Sequence, residues 1–99
     1  SASAFRPTAL ICANDESAAG AIHAAHEQSL SLPADLSIAA FDDAPVAPLL
    51  SPPLTTMSQG IDIMAARAVD ILADAIKGIN RPYEMTRPRL VIRQSTAAV

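Results

Sequence analysis

Aromatic side chains are almost missing from this 99-residue chain: it has no Trp, and Phe5, Phe41 and Tyr83 are the complete set. Proteins that hold nucleic acid stack bases on aromatic rings and follow the backbone with clustered cations. Here seven Lys and Arg are scattered among ten Asp and Glu, for a net charge of −3, so this piece is a poor nucleic-acid binder on its own. Cysteine is nearly absent too. Cys12 alone can form neither an internal disulfide nor a metal knuckle, which suits a reducing cytoplasm, and its strand setting favours a packed thiol. No apolar run reaches membrane-spanning length. Ser1 to Ala4 lacks the charged start and apolar middle of a signal peptide, so the reading is of a cytoplasmic chain without membrane contact.

What is present is aliphatic. Hydrophobic residues make up 51% of the chain, enough for the core of a single domain built from Ala, Leu, Ile and Val. Thr8 to Ala13 reads as a short strand ending at Asn14, Asp15 and Glu16. An alanine-rich helix follows over Glu16 to Ser29, with Asn14 or Asp15 able to cap it. Its small side chains predict packing on both faces or against a partner subunit. Ser31 to Asp35 is a turn, and Leu36 to Phe41 a second strand, so residues 8 to 41 form a β-α-β unit.

Pro45, Pro48, Pro52 and Pro53 exclude a long helix over Ala44 to Pro53 and make Leu54 to Met57 a newly started strand. From Ile61 to Ile76 the apolar residues Ile61, Met64, Ala65, Ala68, Leu72, Ala75 and Ile76 keep the helical rhythm, with Gly78 placed to end the helix. Leu90 to Arg93 is expected as a closing strand, and Tyr83 to Arg87 as an edge strand before Pro88. The richest stretch is Leu36 to Gln59, where an apolar strand runs into Asp42 and Asp43, then a proline-broken loop, then a Thr-rich strand. Open α/β sheets bind ligands beyond the carboxyl ends of their strands, so this order predicts a cleft there.

Four blocks, TALICANDESAAGAIHA, LPADLSIAAFDD, SPPLTTMSQ and RPRLVIRQST, occur in the order and spacing of the C-terminal part of lactose-repressor (LacI/GalR) family transcription regulators, which the chain closely resembles. The resemblance implies an α/β fold: a fragment of a periplasmic-binding-protein-like type I fold, with parallel β-α-β units flanked by helices. By the same resemblance, residues 1–4 are a tail, 5–54 close the second lobe of an effector-binding domain, 55–59 cross between lobes, and 60–99 return largely to the first lobe. The expected partners are a small sugar-like effector and a second copy of the chain or a larger assembly. DNA would be met only through an N-terminal helix-turn-helix that this sequence does not contain. No cofactor or metal is implied.

Matched residue by residue, Asn14, Asp42 and Gln59 take the family's effector-contacting and cleft-lining positions. Their chemistry suits a polyol: a carboxylate accepts two hydroxyl hydrogen bonds at once, and an Asn amide both donates and accepts. Asn14 has an alternative as a helix cap, and Asp43 is assigned to the following turn. Two departures stand out, Ser29 where the family has a helix-ending glycine and Ala40 where a glycine precedes the aromatic-Asp-Asp motif. Ala18 to Ala25 and Pro45 to Leu50 match the positions that face the dimer partner.

Competing readings are an enzyme, a solute receptor of the same fold, and a self-associating module. The first would pair Asp42 or Asp43 with Asp15 or Glu16 as acid and base, or use His23 and His26 as metal ligands. Adjacency in sequence guarantees neither the geometry nor the separated pKa values that acid–base work requires.

Overall fold

Asn14 is where strand becomes helix. In the computed structural model, which describes residues 6–81 and 86–98, it follows strand β1 (Ala9–Ile11) by three residues with an extended backbone, and its side chain accepts from the Ser17 amide to start helix α1 (Asp15–Glu27). Strand β2 (Ser37–Asp42), a single 3-10 turn over Ala47–Leu49, strand β3 (Thr55–Ser58), helix α2 (Ile61–Ile76) and strand β4 (Arg89–Val91) complete the order. The 1–4 tail, Phe5 and residues 83–85 of the expected edge strand lie outside the described residues. Thr86 to Pro88 take no strand conformation.

The sheet has the order β1-β2-β3-β4. The first three strands are parallel, and β4 runs antiparallel to β3, so the expected parallel sheet carries one reversed edge strand. Register puts Leu10, Ile38, Ala40, Thr56 and Val91 on one face and Ile11, Ala39, Phe41, Met57 and Leu90 on the other. Helix α1 covers the first face. Ala18, Ile22, Ile38, Ala40, Ala47 and Leu54 form the core there, with Cys12 and Leu32 against its margin. Each fully buried Ile or Leu contributes about 1.5–3 kcal/mol. Burial also raises the Cys12 thiol pKa above its ordinary value.

The Ala18 to Ala25 run, expected to pack on both faces or against a partner subunit, packs one face on the chain's own sheet. Ala18, Ile22 and Ala25 are buried on the chain's own sheet, one helical turn apart, and only the rest of that run is left open. The strand expected over Thr8 to Ala13 is β1, which lies at the sheet edge with all three of its residues exposed.

Both helices end on the same six-residue device. In α2, Gly78 takes a left-handed φ of 80°, its amide bonds Ala75 O, and the Ile79 amide bonds Asp74 O. In α1, Ser29 at φ 59° plays that part, with Ser29 N to His26 O and Leu30 N to Ala25 O. His26 then fastens the helix to the proline loop through a 2.7 Å bond between Nε2 and Ser51 O, which makes Nε2 the protonated nitrogen. Helix α2 spans the residues its periodicity predicts but contributes no buried residue.

The C-terminal segment closes the sheet. Ser95 sits fully buried between the starts of β2 and β3: its amide bonds Pro53 O, its carbonyl takes the Ile38 amide, and its hydroxyl donates to Ile38 O while accepting from the Thr55 amide.

Candidate functional site

The carboxyl ends of β1 and β2 and the first turn of α1 enclose a pocket of about 250 Å³ lined by Asn14, Asp15, Glu16, Asp42, Ala44 and Val46. Two sequence-predicted site residues therefore share one wall. The third joins them indirectly: Gln59, just past β3, donates from Nε2 to Asp42 Oδ1 at 3.0 Å. The carboxylate thus has one oxygen satisfied by Gln59, and its acceptor capacity is not exhausted.

Asn14 is more constrained than its residue type promised. Its Oδ1 accepts from the Ser17 amide at 2.7 Å, so both the cap and the cleft reading describe the same side chain. Its amide is left to donate to a ligand, and Oδ1 keeps a second lone pair with which to accept.

The corner after β2 is held in an unusual backbone conformation, with φ of 117° at Asp42 and 56° at Asp43. Such conformations cost about 1–3 kcal/mol each for non-glycine residues and persist only where the surroundings hold them. The surroundings are buried and polar. Thr56, fully buried on β3, accepts from the Asp43 amide at 3.2 Å and donates to Asp15 Oδ1 at 2.6 Å. Asp15 Oδ2 accepts from the Ala44 amide at 2.6 Å. The Asp43 carboxylate turns away from the pocket to Arg93 Nη2 at 2.8 Å, while Arg93 Nη1 donates to Leu54 O. The Asp43 side chain, expected to organise the following turn, ties the corner to the C-terminal segment.

Sequence reasoning named Asp15 as a cap or an acid and missed its burial. Its partner Thr56 lay in a block singled out as Thr-rich, but which hydroxyl meets which carboxylate depends on β3 lying next to β2. The acid–base pairing finds no support in these contacts, since Asp15 and Asp43 spend their oxygens on Thr56, Ala44 and Arg93. The two histidines diverge, His23 to Glu27 at 2.6 Å and His26 to Ser51. Among the described residues no group of three His, Cys, Asp or Glu could hold a metal ion.

A family model described as a periplasmic binding protein-like domain matches residues 1–96. A lactose operon repressor from Rhizobium radiobacter is 38% identical over 93% of this chain and 81% of its own length. The chain belongs to the periplasmic-binding-protein-like domains of the lactose-repressor family. An HTH-type transcriptional regulator from Streptomyces limosus is 42% identical over 91% of this lactose-repressor-type domain, which spans 26% of that relative. A solved dimeric Lac repressor with a C-terminal deletion superposes with a TM-score of 0.89 at 34% identity, covering 95% of the domain and 35% of the repressor chain. The domain thus spans about a quarter to a third of the length of these last two relatives. All three are named as transcriptional regulators or repressors. Among the described residues no helix is long and apolar enough to cross a membrane.

Proposed function

We propose that this domain is the effector-binding and dimerising portion of a bacterial transcription regulator. It takes a small, hydroxyl-rich molecule at Asp42, Asn14 and Gln59 and couples its binding to operator affinity through a helix-turn-helix carried elsewhere in the full-length protein. The observation that carries this reading is the convergence of Asn14 and Asp42 on one pocket, with Gln59 bonded to Asp42.

The pocket's chemistry selects the ligand class. Its lining includes three carboxylate residues and no Lys or Arg, so it favours donors such as sugar hydroxyls and disfavours phosphates and carboxylates. At about 250 Å³ it falls below the roughly 300–1,000 Å³ of closed small-molecule sites, as one wall of a two-lobed cleft would. In this scheme residues 5–54 close the second lobe, 55–59 cross over, and α2 leans on the first lobe, while β4 and the Ser95 segment lie on the sheet of β1 to β3. The exposed apolar side of α2 supports that assignment. Effector bound between the lobes changes their relative angle, which shifts operator affinity by linkage. A cytoplasmic location follows from work on an operator.

The test uses the full-length gene product in its own cells, with a reporter behind its upstream promoter and a panel of single carbon sources. Wild type is expected to change expression on at least one source. Asp42→Ala should bind the operator normally yet lose that response by tenfold or more. A full response in Asp42→Ala would remove Asp42 from the effector site.

A further inference from the structure

We propose that Asp15 and Thr56 are positioning residues that hold the Asp42 carboxylate in its binding orientation, an inference that rests on the reading of Asp42 as an effector contact. Asp42 and Asp43 both take positive φ, and relaxation of either toward an ordinary backbone would swing the Asp42 Cα–Cβ bond and carry its carboxylate off Gln59. Asp42 itself cannot prevent this. Its hydrogen-bonded partner, Gln59, is a long side chain on a loop, too compliant to hold a strained backbone.

The restraint comes one and two residues later. The Asp43 amide is fixed by Thr56 Oγ1 and the Ala44 amide by Asp15 Oδ2, and the Thr56 hydroxyl donating to Asp15 Oδ1 closes a ring of three hydrogen bonds across α1, β3 and the corner. The ring lies in the interior, with Asp15 1% and Thr56 0% exposed. Buried bonds of this kind are costly to break because each loss strands a desolvated group. Arg93 adds a tie from the C-terminal segment to the Asp43 carboxylate, outside the ring. Neither Asp15 nor Thr56 has to touch the effector for its removal to displace the group that does.

Amide hydrogen exchange on the full-length protein, without added ligand, tests this through Thr56→Val, which keeps shape and removes the hydroxyl, and Thr56→Ser, which restores it. In Thr56→Val the Asp43 and Ala44 amides are expected to exchange at least tenfold faster while Ile38 and Ala40 keep their rates. Thr56→Ser should behave as wild type, and a crystal structure of Thr56→Val should show Asp42 parted from Gln59. Unchanged exchange at the corner, or equal acceleration at Ile38 and Ala40, overturns the proposal. Asp15→Ala provides the same readout from the other side of the ring. Because no effector is used, failure here is separate from failure of Asp42 to bind one, which the reporter response of Asp42→Ala decides.

Discussion

Ser29 takes the left-handed conformation its place demands without being the glycine that conformation favours. At φ 59° it does the work that Gly78 does at φ 80° at the end of α2, with the same pair of backbone bonds. The left-handed region costs a non-glycine residue about 1–2 kcal/mol, and glycine gives back part of that through its freer unfolded state. Ser29→Gly is therefore expected to stabilise the chain by about 0.5–1 kcal/mol, seen as a higher denaturation midpoint with an unchanged slope. A lower midpoint would mean that the Ser29 side chain makes a contribution its exposed position does not reveal. The residue type at 29 was readable as a departure in the sequence, whereas the Asp43 tie to Arg93, fifty residues on, was not. The burial of Asp15 was not, because a carboxylate two residues past a strand end looks the same whether it meets solvent or a threonine from a strand forty residues away.

At the scale of elements, periodicity located α2 from Ile61 to Ile76 without error, since helix bounds follow from local apolar spacing and a terminal glycine. Strand limits shifted by one or two residues: β3 starts at Thr55 instead of Leu54, and β4 starts at Arg89 instead of Leu90 and ends at Val91 instead of Arg93. Pairing partners set those limits, and partners are not local. A cleft at the strand ends before Asn14 and Asp42 was legible because strand ends of a parallel sheet gather on one edge, and Gln59 entered through the family resemblance; the Ser95 plug was not legible, since nothing local marks a serine as a sheet residue. The two helices also differ in what they give the fold. Ile22 on α1 is 4% exposed and Leu72 on α2 is 62% exposed. Ile22→Ala should cost about 2–4 kcal/mol and Leu72→Ala within about 0.5 kcal/mol in the 99-residue chain, by urea denaturation. In the full-length protein Leu72→Ala should become clearly more costly. Equal small effects in both contexts would show that α2 stays uncovered there as well.

The molecule as a whole is drawn out, 60 × 27 × 21 Å, with a radius of gyration of 18.1 Å. A compact domain of this length would have a radius near 13 Å. Apolar side chains explain where the missing contacts belong. Ile61, Ile63, Val69 and Leu72 of α2 are more than half exposed, and so are Ile11 and Leu90 on the sheet face opposite α1 and Leu49 in the proline loop. Patches of that extent drive association. The isolated 99-residue chain is expected to run as a dimer or larger assembly at micromolar concentration. A monomeric mass by sedimentation would sink that expectation.

The placement of Ser95 also sets an order of events during synthesis. Ile38 and its closing partner are separated by 57 residues. At roughly 5–20 residues per second a ribosome needs about 3–11 s to cover that stretch. Throughout that interval the start of β2 presents an unpaired amide and carbonyl beside an apolar strand, an edge that invites pairing with another nascent chain. A stop codon before position 95 would make that interval permanent, so the last few codons of this segment govern solubility out of proportion to the surface they encode.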